Sequence, residues 1–592
     1  MSKLNIRLPQ FLSEVDALTA NMSQGELQAF VHEMARTWSE KGRQSFVELL
    51  KTYSGKVLNE CESEKNNDYA NAVKEIKNII EILTEINDGD RVLDSEYNEE
   101  WDDWYNSDAD EVLFSDPDGL IRDIDLAIKY VHYCVDMKMY KEGCELAEIL
   151  SLLEVSAEGD YNDFDGSPLG VCSLDEYDLL NSDYDTFVKE CLYLIYMGNA
   201  PDNRAEELFL IMGNLGNPDV TLEDIMQMGN SDLPDFDEFL GTWIEYLGKQ
   251  GGRYAEGFLK EAQSMIKDDN ILLENARKYV KEYPSLYKQL LESKLDTAEN
   301  EKMFLVGMEA LASIPISDII RSEIALLTAE YAVRTGKQKD AEKCWMEAFR
   351  SDSTVMNYWR IRLLSNDWQE YRDEVQKIYE SLYQNARNRN KGYIYDRGMG
   401  KENDISLYEY CTLLAYDGQI EKMRKVGMNT SEGLGWSSTY MKQGLAFVLL
   451  GLYNGSSLPI GLRSMQMRAG SASAIRAERF YFGTGEKMVK TDAELFSTIL
   501  SIWKNDTKIS DVDIQTWITR IDKLIAVRVA GIMENNRRNY YGECASYIAA
   551  FGEVQESLGI TNAKAMIMEK YKKEYPRRSS FHKELRAYGM KK

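Results

Sequence analysis

Three histidines, His32, His132 and His582, and eight cysteines, at 61, 134, 144, 172, 191, 344, 411 and 544, are the residues best suited to nucleophilic or metal chemistry. None of them stands at a metal-ligand spacing, and no CxxC pair occurs. His132 and Cys134 are two positions apart, so on a helix they face different ways and cannot act as nucleophile and base. Asp160-Tyr-Asn-Asp-Phe-Asp-Gly166 has the composition of a calcium loop. With Gly166 as the turn glycine, however, the first ligand would be Tyr161 and the closing acid would be Cys172, so the motif fails at both ends. Gly483-Thr-Gly485-Glu-Lys487 lacks the four-residue spacer, the Lys directly after Gly and the hydroxyl residue of a phosphate loop. Among 99 Asp and Glu, close carboxylate pairs arise by chance and signal nothing. These residues predict no catalytic site, no metal site and no cofactor site, and they predict cysteines held as buried, reduced thiols.

Binding chemistry is better represented. Residues 1–250 hold 18 Lys and Arg against 54 Asp and Glu, a net of −36, whereas the remaining residues are net +6 within a total of −30. The extreme is 81–120, with one Arg and fifteen acids, in which Trp101, Trp104 and Tyr105 stand among carboxylates. Blocks of like charge usually form a solvated loop, expected here as an acidic insert at 87–119; the aromatics would let it dock on a basic partner. The opposite character appears twice. Arg387, Arg389, Lys391, Arg397 and Lys401 surround Tyr393 and Tyr395, and Arg463, Arg468, Arg476, Arg479, Lys487 and Lys490 are interleaved with Phe480, Tyr481 and Phe482. Cations beside aromatic faces suit three occupants: the acidic part of this chain or of a second copy, a protein partner, or a nucleic acid. The net charge counts against the last, because it repels a polyanion.

The elements that must position these groups are helices. Only 10 Pro occur in 592 residues, and Pro is the residue helix interiors exclude most strongly. In 72–86 the apolar residues Ala72, Val73, Ile76, Ile79, Ile80, Leu83 and Ile86 recur at steps of three and four, and Ile514, Trp517, Ile518, Ile521, Leu524 and Ile525 do the same. Gly336 and Gly418 read as helix ends followed within a few residues by a new helix, so antiparallel pairs follow. Gly and Ser in 451–473 mark a mobile loop or junction. Lys278-Tyr-Val-Lys-Glu-Tyr-Pro284 and Lys570-Tyr-Lys-Lys-Glu-Tyr-Pro576 agree at six of seven positions, 292 residues apart. Each reads as a helix stopped before Pro, and the echo admits either a duplication with a boundary near 298 or convergent use of one stop signal.

Ala329, Gly336, Ala341, Trp345 and Ala348 resemble a tetratricopeptide-type helix pair, with small residues at the crossing and an aromatic in the groove. Tyr140, Gly143, Ala147 and Leu150 give a looser copy, and no period of about 34 runs through the chain. The closing stretch, with 348–358, is similar to helical regions of bacterial SWIM-type zinc-finger proteins, whose CxC...CxH element is absent here, so no metal site carries over. The resemblance implies an all-α chain, an irregular α-solenoid of antiparallel pairs, and the echo of the helix-stop motif adds two duplicated halves as one reading. Four regions are expected: an acidic helical region at 1–120, a helical repeat region at 121–298, a tetratricopeptide-like region at 299–450, and a C-terminal helical region at 451–592 with a basic Gly/Ser-rich loop at 451–490.

No leader-like apolar segment opens the sequence and no apolar run reaches 18 residues, which predicts a cytoplasmic protein. The leading expectation is a non-enzymatic scaffold whose groove binds a protein partner. A nucleic-acid-associated protein using the basic aromatic face of 387–490, and an enzyme of a class its motifs do not announce, are the alternatives. The expected contact residues are Trp101, Trp104, Tyr105, Arg387, Arg389, Tyr393, Arg463, Arg468, Arg476, Arg479 and Phe480.

Overall fold

A computed structural model describes residues 62–97, 112–159, 168–216, 219–229, 232–389, 402–428, 433–434, 436, 440–507 and 511–591, with the isolated residues 22 and 31. The expectations placed on Trp101, Trp104, Tyr105, Tyr393 and the acidic loop 160–166 lie outside the described residues. The all-α expectation holds: the described residues form 26 α-helices and three short strands. No helix among them is long and apolar enough to cross a membrane. The chain divides into two compact units, 1–269 and 270–592.

In the first unit, α1 (Glu62–Asn87) packs on α2 (Leu120–Asp136) and α3 (Tyr140–Ser151). The stripe read from the sequence is what it buries, since Ile76, Ile79, Leu83 and Ile86 are at most 4% exposed. Helices α2 and α3 form a hairpin turned by Lys138, and α5 (Tyr184–Gly198) covers both. Helices α4 (Val171–Glu176), α6 (Arg204–Asn214) and α7 (Leu222–Met226) lead to α8 (Phe236–Gln250) and α9 (Gly252–Met265). Trp243 is the hub of this last pair: Phe239 and Tyr246 stack on it, and Phe209 and Phe258 meet it edge-on. Part of the expected acidic insert is ordered as sheet. β1 (Leu93–Tyr97) pairs antiparallel with β2 (Val112–Ser115) and parallel with β3 (Ala157–Glu158). The alternation of Val112, Leu113, Phe114 and Ser115 allows one face to pack, and Phe114 meets Tyr177 at 4.8 Å between ring centroids.

The second unit opens with α10 (Asp269–Lys278), α11 (Ser285–Ser293), α12 (Asn300–Ser313), α13 (Ile320–Arg334), α14 (Gln338–Ser351), α15 (Val355–Leu364) and α16 (Trp368–Arg389). From α11 to α16 successive members pack on each other, α12 on α13 and α13 on α14 most extensively. Gly336 and Gly418 both hold the positive φ that their place after a helix requires, 73° and 76°. Ala329, Ala341 and Ala348 are fully buried at the crossing, beside Trp345 at 2% exposure.

Helices α17 (Leu407–Tyr416), α18 (Ile420–Gly427) and α19 (Leu445–Leu452) precede α20 (Ile460–Ser473), α21 (Ala477–Tyr481), α22 (Asp492–Asp506) and α23 (Asp511–Glu534); α24 (Tyr541–Ser557), α25 (Ala563–Glu574) and α26 (Ser579–Ala587) close the chain. The loop expected at 451–490 is therefore corrected, since α20 and α21 occupy much of it. Its small residues serve close packing rather than flexibility: a Cβ on Gly461 would lie 2.5 Å from the backbone nitrogen of Ala550 on α24. Cysteines 134, 144, 191, 344, 411 and 544 are buried.

Candidate partner-binding groove

Among the described residues, helix α12 leaves one apolar face uncovered. Leu305, Met308 and Ala312 fall at steps of three and four on a single face, and Ile316 continues it past the helix end. Leu305 and Ile316 are 59% and 54% exposed, high values for large aliphatic side chains. The inner faces of α12 and α13 explain why this one stays outside. Gly307 permits so close a pass that a Cβ there would overlap Thr328, so the packed side of α12 is already satisfied by α13.

Beside this stripe α12, α14 and α16 enclose a groove of about 550 Å³ whose apolar wall includes Met308, Leu311, Ile316 and Met346. Its rim is ionic and internally balanced. Arg321, 5% exposed, pairs with Glu347 and donates to the Leu311 carbonyl at 3.1 Å. Arg350 bridges Glu347 and Glu374, so α13, α14 and α16 are tied at the groove edge. Asn403 anchors the following segment nearby, donating through Nδ2 to the Arg350 carbonyl at 2.7 Å. Cys344 also lines the groove, but burial pushes its thiol up to about 12, so it is a neutral thiol there at physiological pH.

The structure disperses the basic residues that the sequence grouped together. Phe480 is 2% exposed and offers no stacking face, which corrects its expected role. Arg476 pairs with Asp492 at 3.0 Å, and Arg389 with Asp404 at 2.6 Å. Arg468 lies over the Tyr547 ring at 5.1 Å. Arg463 and Arg479 are exposed, as is Arg387 in the last turn of α16. Three of the six expected arginines, Arg389, Arg468 and Arg476, are thus engaged with partners inside their own unit.

A second polar group, in the first unit, went unread in the sequence. His132 on α2 meets Glu190 on α5, with Nδ1 and Oε1 2.5 Å apart, while its Nε2 lies 3.5 Å from Asp136. Sequence separation hid the pair, because His132 and Glu190 are 58 positions apart and only the α2–α5 packing brings them together. Lys129, Asp183 and Thr186 share the shallow cavity of about 350 Å³ beside it. Nearby Asp125 is buried, yet hydrogen bonds from Asn181 and Ser182 outweigh that burial and hold its carboxyl below the usual range. Burial raises the Glu190 carboxyl, with His132 opposing the shift, and the Glu190 hydrogen bond raises the His132 imidazole.

Both groups therefore hold protons more firmly in the fold than their ordinary values of 4.5 and 6.5. The stability contributed by His132 is present on the acid side and is lost as pH rises through its folded value. His132→Ala is expected to lower the melting temperature most below the ordinary imidazole value of 6.5 and progressively less as pH rises above it. A decrement independent of pH in thermal melts would show that the pair contributes by packing alone.

Compared with known proteins, the chain matches no family model and no curated sequence.

Proposed function

We propose that the chain is a non-enzymatic, cytoplasmic interaction scaffold, with α12, α13 and α14 acting as tetratricopeptide-like units of an irregular solenoid and the α12–α14–α16 groove receiving an amphipathic helix of a protein partner. The observation that carries this reading is the uncovered stripe Leu305, Met308, Ala312 and Ile316, which continues into the groove's apolar wall. An apolar row along a helix is complementary to a second helix presenting its own residues at i, i+3, i+4 and i+7. The rim arginines already have their carboxylates, so the partner gains its affinity from apolar anchors and not from charge. The alternative basic face at 387–490 is less favoured, because Arg476 and Arg389 are paired and Phe480 is buried.

Random peptides of about 15 residues displayed on phage and selected on the full chain test this reading. Enriched sequences should carry helical apolar spacing, and Met308→Asp with Ile316→Asp should weaken their binding at least about tenfold, since each anchor contributes roughly 1–3 kcal/mol. Both residues are exposed, at 39% and 54%, so the melting temperature should not change. Selection of no binding peptide, or binding indifferent to the double substitution in fluorescence polarisation, would refute the proposal.

A further inference from the structure

The two copies of the helix-stop motif end in opposite environments. After the first, Tyr283, Ser285, Leu286 and Tyr287 are all at most 3% exposed, so the motif closes into the core. After the second the chain reads Arg577-Arg578, and Lys573, Glu574, Pro576 and Arg577 are exposed. Arg578 is the structural member of that pair. Its guanidinium donates to the Met533 carbonyl at 2.6 Å and to the Asn536 side chain, which fixes the turn after α23 against the turn after α25.

The turn after α23 reads Glu534-Asn-Asn-Arg-Arg-Asn-Tyr540, and every one of these residues is exposed. Asn536 reverses the chain there with φ at 52°. The Arg578 bonds therefore set the turn that carries Arg537 and Arg538 beside the turn that carries Lys573 and Arg577, with Glu534 and Glu574 as the acids of the same two turns. None of the four makes an ion pair among the described residues, unlike Arg389 and Arg476. Tyr540 stands at the edge, 45% exposed, with Arg528 5.0 Å from its ring centroid.

We propose that these paired turns, 534–540 and 572–578, bind the phosphodiester backbone of a single-stranded nucleic acid. Guanidinium forks match phosphate oxygens in two-point contacts, which unpaired Arg537, Arg538 and Arg577 are free to make. The open part of the Tyr540 ring supplies a stacking platform for a base, and the Asn539 amide supplies donor and acceptor groups. An acidic peptide would use the cations but neither of these. The part of the chain that carries this surface is itself not acidic, since residues 251–592 are net +6. The surface shares no residue with the α12–α14–α16 groove, so the two proposals stand or fall separately.

Fluorescence anisotropy of the full chain with labelled oligo(U) and oligo(dT) of about 20 nucleotides, at about 50 and 200 mM salt, tests it. Binding should weaken steeply with salt, and Arg537→Glu with Arg538→Glu should weaken it at least about tenfold at the lower salt while reducing the salt slope by about two. Tyr540→Ala should weaken binding with the slope unchanged. Arg463→Glu with Arg479→Glu, exposed elsewhere in the unit, should bind as wild type, and all variants should melt as wild type. No anisotropy change at the lower salt, equal binding by the Arg537/Arg538 variant, or competition by polyglutamate as effective as by unlabelled oligo(U) would overturn the proposal, the last in favour of an acidic protein.

Discussion

Replacing Arg360 with Met will free residues 479–480 from α15 and lower the stability of the second unit by about 2–5 kcal/mol. The side chain is 2% exposed and has no carboxylate in ion-pair contact among the described residues. Burial lowers its pKa to about 9, still above neutral pH, so the guanidinium stays charged inside the unit. Its compensation comes from oxygens: Nε donates to the Phe480 carbonyl at 3.1 Å, Nη2 to the Arg479 carbonyl and Nη1 to the Asn357 side chain. Methionine fills a similar volume but leaves these acceptors unsatisfied, at a typical cost of about 1–3 kcal/mol for each buried group. Two other latches hold the segment, Trp345 Nε1 to the Gly483 carbonyl at 2.7 Å and the Gly485 amide to Glu330 at 2.8 Å. They will not replace the two bonds lost to the segment, because neither reaches residue 479 or 480. Limited trypsin digestion read by mass spectrometry should show cleavage after Arg479 and Lys487 far sooner than in wild type. Unchanged cleavage there, with an unchanged melting temperature, would mean that Arg360 is not the latch.

Arg360 also shows where reading the sequence stopped. Helix existence was legible because stripes such as Ile76, Ile79, Leu83 and Ile86 depend only on local spacing, and those residues are buried as expected. The helix ends at Gly336 and Gly418 were legible for the same reason. The basic run at 463–490 misled because charge composition does not reveal a partner: Arg476 meets Asp492, and Phe480 turns inward. Gly and Ser in 451–473 misled differently, since small residues mark both loops and close helix crossings, and only the position of Ala550 opposite Gly461 separates the two. The uncovered face of α12 was not legible at all. An apolar stripe in sequence does not say which side another helix will cover, and here Gly307 commits one side to α13 and leaves Leu305 and Met308 outside.

Glu553→Ala should destabilise the second unit by about 3–5 kcal/mol, an effect comparable with that of Arg360→Met. Helix α20 begins after Pro459 with no side-chain cap of its own, so its first amides require acceptors from elsewhere. Glu553 on α24, 3% exposed, supplies both: its carboxylate oxygens accept from the Gly461 amide at 3.1 Å and the Leu462 amide at 2.8 Å. The helix N-terminus favours that negative charge, and Lys564 on α25 neutralises it further, with Nζ 2.6 Å from Oε1. One buried carboxylate therefore joins three helices. Removing it strands two amides and leaves an ammonium whose side chain is 17% exposed without its partner. Glu553→Gln keeps one acceptor oxygen and should cost less than Ala, whereas Lys564→Met alone leaves the capping bonds in place and should cost the least. Combining Glu553→Ala with Lys564→Met should cost less than the sum of the two, because the unpaired ammonium disappears. Chemical denaturation of the four variants decides the matter: strictly additive losses would show that Glu553 and Lys564 act independently, and a loss under about 1 kcal/mol for Glu553→Ala would show that water caps α20 in its place.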